Sequence, residues 1–184
     1  GYSMGGPIIG GFAEKYSDQV KSLSFIAPAG FGKVQTSIPF FIKIPGVIEW
    51  AMHVLADRFY GSAISSETTH SNDPLSINEK EFQQLFSFQM QFKGFRESLA
   101  STMRNFNLFD AREMFEKVAA KNIPSIAIWG DNDGVVSYKG AETYSEIFHE
   151  GKVITIEGGT HDITYRQPSD VLGAIKIFLD PQIS

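Results

Sequence analysis

Strand-like and helical segments alternate along much of this 184-residue chain, and that order restricts the folds it can adopt. Three β-rich runs occur at residues 20–27 (VKSLSFIA), 123–129 (IPSIAIW) and 152–156 (KVITI), and helical patterns follow them. Strands that alternate with helices pair in parallel and carry helices on both faces of the sheet. The sequence therefore predicts an α/β fold built on a parallel sheet.

Residues from about 31 to 118 interrupt this alternation with several helical patterns that are rich in phenylalanine. Pro45 suits the first turn of one helix, the Ser76–Glu79 capping-box spacing predicts the start of another, and Asp110 is expected to cap a third. Ser169 is expected to cap the last helix of the chain. Helices inserted in this way would form a cap over the sheet. We therefore predict three regions, namely core residues 1–30, a helical cap at 31–118 and core residues 119–184.

The composition excludes several classes of protein. With 42% hydrophobic and 20% charged residues, the chain resembles an ordinary globular domain. Its net charge of −5 argues against a nucleic-acid partner, because phosphate binding requires clustered Lys and Arg. No run of about 18 apolar residues occurs, so no transmembrane segment is predicted. The absence of cysteine excludes disulfides and thiolate metal sites, and it fits a reducing, cytoplasmic compartment.

The first five residues, Gly1-Tyr2-Ser3-Met4-Gly5, match the pattern G-x-S-x-G. In this pattern a sharp strand-to-helix turn strains the serine backbone and projects its Oγ into open space. The N-terminus of the following helix would place backbone N–H groups and a positive dipole end beside a developing oxyanion. The same residues also fit a glycine-rich turn in which the serine only caps a helix.

A serine nucleophile requires a base, and the base requires an orienting carboxylate. Asp131 and Asp133 both lie in the loop after the second predicted strand, and the residue pattern alone does not choose between them. His161 lies in a glycine-rich loop after the third strand, where small neighbours would let its imidazole reach Ser3. The plainer interpretations are an Asn-Asp-Gly turn and a surface-loop histidine. Their order, with each residue after a strand, indicates a Ser–Asp–His triad.

Three stretches, GYSMGG, IPSIAIWGDNDGVVS and EGGTHDITYRQPSDVLGAIKIFL, resemble signatures of the α/β-hydrolase superfamily, and the resemblance covers essentially the whole chain. In the family pattern W-G-x-x-D the acid stands three residues after the glycine, which is Asp133 here. The family's histidine after a glycine-rich loop corresponds to His161, and its glycine-flanked nucleophile corresponds to Ser3. The resemblance thus implies a catalytic triad of these three residues, with the Met4 N–H as one oxyanion donor.

The activity that the resemblance implies is cleavage of a hydrophobic carboxylic ester through an acyl-enzyme, without a metal or an organic cofactor. The cap is similar to those of carboxylesterases, monoacylglycerol-lipase-like enzymes and meta-cleavage C–C hydrolases. The C–C hydrolases usually have Asn where Tyr2 stands, which favours an ester substrate. Cleavage of a C–C bond and a non-catalytic, receptor-like binding protein are the alternatives. Substrate contacts are expected from Tyr2, Phe86, Met90 and Val135.

Complete members of the superfamily have several strands and a His-Gly loop before the nucleophile turn, and that loop supplies a second oxyanion N–H. The resemblance implies that these elements are missing here, so that the three predicted strands would be the last three of an eight-stranded sheet. We therefore expect the chain alone to expose an unpaired sheet edge and to be weakly active or inactive.

Overall fold

The computed structural model describes residues 1–32, 44, 46–47, 50, 72–106 and 110–180. The chain divides into two compact units. The first comprises Gly1–Gln35, Asp73–Ser76 and Leu108–Ser184, and the second comprises Thr36–Asn72 and Ile77–Asn107. Most of the helix predicted after Pro45 lies outside the described residues. All three predicted triad residues belong to the first unit.

The first unit is built on a three-stranded sheet in which β2 lies between β1 and β3. β1 spans Leu23–Ile26, β2 spans Ser125–Gly130 and β3 spans Lys152–Ile156. Both strand pairs are parallel. All six residues of β2 are buried, as expected for an inner strand of a parallel sheet that is covered on both faces. The predicted α/β fold with a parallel sheet is confirmed.

The first residues of the chain lie beside the edge of β1 that faces away from β2. The Gly1 carbonyl accepts the Ile26 N–H at 2.9 Å, and the Ser3 N–H donates to the Ile26 carbonyl, also at 2.9 Å. Tyr2 forms a parallel bridge with Ile26 between these two bonds. Ser3 is therefore held at the carboxyl end of β1, the end of the sheet from which the loops after β2 and β3 also leave.

The helices of the first unit alternate with its strands. In chain order, the described helices are α1 Gly5–Lys15, a 3-10 turn Ser17–Gln19, α2 Glu79–Gln89, α3 Phe95–Asn105, α4 Arg112–Ala119, α5 Gly140–Ile147, α6 Ile163–Arg166 and α7 Pro168–Leu179. The predicted cap runs to residue 118, but α4 packs into the first unit, where Phe115 and Val118 are fully buried. That the second unit forms a cap over the sheet stays a prediction.

Two predicted helix starts are wrong. The side chain of Asn78 caps α2 by accepting the Glu81 N–H at 3.0 Å, and the Glu81 carboxylate accepts the Asn78 N–H at 2.9 Å. The capping box thus lies two residues beyond the one predicted at Ser76. Ser169 lies inside the first turn of α7, where its N–H and hydroxyl donate to the Asp73 carboxylate at 2.7 and 2.8 Å. The acceptor for that turn comes from a residue that is distant in sequence, which no local pattern reveals.

The chain leaves the first unit and returns to it at neighbouring points. Phe31 forms an antiparallel bridge with Asp110, and the Ala111 N–H donates to the Gly30 carbonyl at 2.9 Å. Asp110 was expected to cap α4. It precedes the N-cap residue Ala111, and its carboxylate accepts the Arg112 N–H at 3.1 Å. This junction joins the loop after β1 to the start of α4 within the first unit.

The second unit contains α2 and α3 among its described residues. Gly94 separates the two helices with a φ of +85°, a left-handed conformation that costs glycine little. On α2, Leu85 and Phe88 are more than half exposed. Large apolar side chains are therefore partly exposed on the described part of this unit.

Aromatic rings form the centre of the core in the first unit. Phe31 and Phe115 stack with their ring centroids 4.0 Å apart, which joins the loop after β1 to α4. Phe25, on β1, is fully buried and contacts four rings, those of Phe31, Phe115, Tyr144 and Phe148, at centroid distances of 5.6 to 5.9 Å. Ring contacts of this kind stabilise the folded state by more than the burial of their apolar area alone would.

Replacing Phe25 with alanine is expected to lower the free energy of unfolding by about 3–5 kcal/mol, because the cavity would open among four rings that cannot all relax into it. Urea unfolding followed by tryptophan fluorescence measures the change. Phe88→Ala is the control, since Phe88 is 56% exposed and its loss should change stability by about 0.5 kcal/mol or less. A loss below about 1 kcal/mol for Phe25→Ala would show that this cluster is not the centre of the core.

Candidate active site

Ser3 stands in a strained turn between the strand-like start of the chain and α1. Its φ is +50°, in the left-handed region that non-glycine residues rarely occupy. A Cβ at Gly1 would lie 2.3 Å from the carbonyl oxygen of Gly5, so the turn requires glycine at position 1. Gly5 itself has open space around it. Of the two glycines in the G-x-S-x-G pattern, only Gly1 is therefore required by the space around it, and the strained backbone is typical of a nucleophile turn.

The side chains of Ser3, His161 and Asp133 form one hydrogen-bonded series. His161 Nε2 lies 3.0 Å from Ser3 Oγ, and His161 Nδ1 lies 2.9 Å from Asp133 Oδ2. The carboxylate is fully buried, and the imidazole is 14% exposed. A buried carboxylate at Nδ1 favours the tautomer in which Nδ1 carries the proton and Nε2 can accept one. This arrangement can remove a proton from the serine hydroxyl.

The structure separates the roles of the two aspartates that the residue pattern left open. Asp133 faces His161 with Oδ2, while its Oδ1 accepts the N–H groups of Val135 at 2.9 Å and Val136 at 2.7 Å. Asp131 points to the neighbouring loop instead, where its Oδ1 accepts the Gly158 N–H at 2.7 Å. Of the two aspartates, Asp133 is thus the one whose carboxylate lies against His161, and its role as the catalytic acid stays a prediction. Asp131 serves to join the two loops, a role that sequence reasoning missed.

The loops that carry Asp133 and His161 meet through their main chains. The Asn132 N–H donates to the Gly159 carbonyl at 2.9 Å, and the Asp131 N–H donates to the Ile156 carbonyl at 3.3 Å. Gly130 and Gly159 are in contact, since a Cβ at Gly130 would lie 2.2 Å from the Gly159 oxygen. The absence of side chains at both positions is what brings these loops within reach of each other.

The Met4 N–H follows Ser3 at the start of α1, where Met4 is the N-cap residue. Within the described part of the chain, this N–H has no hydrogen-bond acceptor. The N–H groups of Gly5 and Gly6 turn back to the carbonyls of Tyr2 and Ser3. The Met4 N–H is therefore available to a ligand, whereas the N–H groups of Ser3, Gly5 and Gly6 are bound. The positive end of the α1 dipole adds to the attraction of this N–H for an anion.

The four predicted substrate contacts lie in different settings. Tyr2 is half-buried and donates its hydroxyl to the His161 carbonyl at 2.9 Å. Val135 is 63% exposed, and its N–H donates to the Asp133 carboxylate. Phe86 lies on α2 and Met90 is the C-cap of that helix, both in the second unit and both half-buried. Contacts of these side chains with substrate stay predictions.

The residue after the histidine was also missed by the sequence reasoning. Asp162 accepts the Arg166 Nε–H at 3.0 Å and the Thr160 hydroxyl. These bonds connect the histidine loop to the short helix α6. The i to i+4 spacing of Asp162 and Arg166 is the sequence signal that predicts such an ion pair.

In the residues that the structure describes, no group of three or more His, Asp or Glu side chains is arranged to hold a metal ion. No helix among them is long and apolar enough to cross a membrane.

A parallel sheet with a serine turn, an acid loop and a histidine loop at its carboxyl ends defines the α/β-hydrolase superfamily. Comparison with known proteins supports that class, so the resemblance inferred from the sequence is confirmed. Within it, the chain belongs to the hydrolase family described as Serine aminopeptidase, S33 (Hydrolase_4), whose model matches residues 1–167.

Two curated bacterial proteins are similar in sequence. The chain is 28% identical over 197 residues to Lipase 3 of Moraxella sp. (strain TA144), covering 98% of this chain and 55% of that protein. It is 25% identical over 178 residues to Lipase 1 of Psychrobacter immobilis, covering 88% of this chain and 48% of that protein. The chain thus spans about half the length of the curated relatives that it matches.

Solved structures show the same fold at low sequence identity. A bromoperoxidase from Bacillus anthracis superimposes with a TM-score of 0.73 at 20% identity, over 97% of this chain and 65% of that one. The carboxylesterase CesB (YbfK) from Bacillus subtilis gives a TM-score of 0.67 at 19% identity, over 98% of this chain and 59% of that one.

Proposed function

We propose that the protein containing this chain is a serine hydrolase that cleaves hydrophobic carboxylic esters through an acyl-enzyme on Ser3. The observation that carries the proposal is the unbroken series of hydrogen bonds from Ser3 Oγ through His161 to the buried Asp133 carboxylate. The serine is the nucleophile, the histidine is the base that it requires, and the aspartate supplies the negative charge that orients the base.

In the first half of the reaction, Ser3 Oγ attacks the ester carbonyl carbon and its proton passes to His161 Nε2. The oxyanion that forms is stabilised by the open Met4 N–H and the N-terminus of α1. Asp133 stabilises the imidazolium through Nδ1. The C–O bond to the alcohol then breaks, and Nε2 returns its proton to the departing alkoxide, which leaves Ser3 acylated.

In the second half, water takes the place of the alcohol. His161 Nε2 accepts a proton from the water as its oxygen attacks the acyl carbon. Collapse of this second tetrahedral intermediate releases the carboxylic acid and returns the proton to Ser3 Oγ. The triad ends in its starting protonation state, so neither a cofactor nor a metal takes part in the balance.

The choice of an ester as substrate is supported by the relatives rather than by the geometry of the triad. The two curated relatives are named lipases, and one of the similar structures is a carboxylesterase. A triad of this kind also cleaves amides, and the family description names an aminopeptidase. Amide cleavage is therefore the second candidate, ahead of the C–C bond cleavage and receptor-like binding that the sequence left open.

The proposal is tested by assaying the full-length protein that carries this chain against p-nitrophenyl esters of increasing acyl length, aminoacyl p-nitroanilides and a meta-cleavage diketone. We expect the highest kcat/KM on esters, with a burst of p-nitrophenol equal to the enzyme concentration where deacylation limits the rate. Covalent labelling by a fluorophosphonate probe should map to Ser3 by mass spectrometry. Preference for the anilides would establish amide cleavage instead, and a protein that is neither labelled nor active would be a binding protein.

A further inference from the structure

The backbone of Tyr2 is held against β1, because Tyr2 lies between Gly1 and Ser3 in the nucleophile turn. Its backbone forms the parallel bridge with Ile26, and the flanking groups of Gly1 and Ser3 both bond to that same residue of β1. Main-chain bonds therefore fix the point from which the Tyr2 side chain leaves, and the contacts of that side chain decide its role.

The hydroxyl of Tyr2 contacts the loop that carries the base. It donates to the main-chain carbonyl of His161 at 2.9 Å, a bond that joins residues 159 positions apart. Burial, with added repulsion from Tyr165, raises the pKa of the Tyr2 hydroxyl above its ordinary value. The hydroxyl therefore keeps its proton, and the donor remains available, at any pH at which the enzyme would work.

The ring of Tyr2 contacts the base itself. It stacks on the His161 imidazole with ring centroids 5.2 Å apart and planes inclined by 30°. The edge of Tyr165, on α6, packs against Tyr2 with centroids 6.1 Å apart and planes at 86°. The imidazole is thus bounded by an aromatic face on one side, which limits its rotation and attracts the imidazolium that forms during proton transfer.

The geometry points to Tyr2 as a positioning residue that holds His161 between Ser3 and Asp133, rather than as a substrate contact. This inference rests on the proposed serine-hydrolase function and deepens it. The hydroxyl fixes the main chain of His161, and the ring keeps the imidazole plane where Nε2 faces Ser3 Oγ and Nδ1 faces Asp133. Small displacements of a catalytic group have large effects on rate, so both contacts should act on turnover.

Two substitutions separate the contributions of the hydroxyl and the ring. Tyr2→Phe keeps the stack and removes the hydrogen bond, and we expect kcat on a p-nitrophenyl ester to fall about 3- to 10-fold. Tyr2→Leu removes both contacts, and kcat should fall about 100-fold. KM should stay within about 2-fold for both variants, because ground-state binding is not the interaction removed. The rate of fluorophosphonate labelling at Ser3 should fall in parallel with kcat, and phenylalanine should recover most of the loss seen with leucine.

Tyr144→Phe is the matched control. The Tyr144 hydroxyl hydrogen bonds to Ser125 Oγ at 2.8 Å, at the start of β2 and so at the opposite end of that strand from Asp133. Burial raises the pKa of Tyr144 to about 12, so this hydroxyl also remains protonated. Its removal should lower the unfolding temperature by a few degrees and leave kcat unchanged.

Several outcomes would overturn the inference. A rise in KM at constant kcat in the Tyr2 variants would make Tyr2 a substrate contact. An unchanged kcat and KM in Tyr2→Phe would rule out the positioning role of Tyr2. The proposed function would still hold if the full-length protein showed hydrolysis that depends on Ser3. If Tyr2→Leu does not fold, Tyr2→Phe alone decides the question. If the full-length protein shows no hydrolysis that depends on Ser3, the proposed function is wrong and the inference about Tyr2 is wrong with it.

Discussion

Replacing Ser3 with alanine is expected to lower kcat for ester hydrolysis by about 10⁶-fold and to abolish labelling by a fluorophosphonate probe. His161 Nε2 would then have no hydroxyl to deprotonate, because its partner at 3.0 Å is Ser3 Oγ. A residual rate above that in water, supported by the Met4 N–H and by substrate binding, is expected to remain. Single-turnover kinetics on a p-nitrophenyl ester, together with intact-protein mass spectrometry, measures both effects.

Ser145→Ala is the control for this substitution. The Ser145 hydroxyl donates to the Ala141 carbonyl at 3.0 Å on α5, and its loss should leave the rate and the labelling unchanged. Thermal unfolding should change little in Ser3→Ala, because alanine has the same backbone strain at position 3 and only one hydrogen bond is lost. If Ser3→Ala keeps more than about a tenth of the activity, the nucleophile lies elsewhere and the proposed mechanism is wrong.

Replacing Asp133 with asparagine is expected to lower kcat by about 10⁴-fold while the loop keeps its shape. The amide oxygen can still accept the N–H groups of Val135 and Val136, which the Asp133 Oδ1 accepts now. The amide nitrogen would face His161 Nδ1 and favour the tautomer with the proton on Nε2. An imidazole in that state cannot take the proton of the serine. The measurement is kcat on the same ester, with circular dichroism to show that the fold is unchanged.

Asp131→Asn is matched to this change in chemistry and lies only two residues away. Its amide oxygen can still accept the Gly158 N–H, the bond that the carboxylate makes at 2.7 Å. We expect kcat to fall by less than about 10-fold, which corresponds to a weakened hydrogen bond. If Asp131→Asn proved the more damaging of the two, the acid would have been assigned to the wrong residue.

The fold followed from the sequence because its strongest signals are local. The strand KVITI was predicted over the same residues, Lys152–Ile156, that form β3, since a short β-rich run between turns has few alternatives. Helix starts were less predictable. Ser76 and Asn78 both suit an N-cap, and only the geometry of Glu81 decides between them. Ser169 binds Asp73, which is 96 residues away, and no local pattern contains that information.

The candidate site shows the same division between local and long-range information. The residue pattern pointed to Ser3, His161 and either Asp131 or Asp133, and the family resemblance chose Asp133. The structure brings the side chains of Ser3, Asp133 and His161 together. Their catalytic roles stay predictions. Tyr2 was interpreted as a substrate contact because the motif gives its position but not the direction of its hydroxyl. Its bond to the His161 carbonyl depends on two loops that meet only in the folded chain.

The contact between Gly130 and Gly159 also restricts how this protein can change by mutation. A Cβ at either position meets main-chain atoms of the other glycine, within 2.2 to 2.9 Å. A crowded side chain can be relieved by a smaller residue elsewhere, but no second substitution removes a carbonyl group or a Cα. Alanine and larger residues are therefore excluded at both positions, whatever other substitutions are present. The residues of α5 and β3, which lie between these two glycines in sequence, can be substituted more freely, while Gly130 and Gly159 must both stay glycine for the two loops to meet.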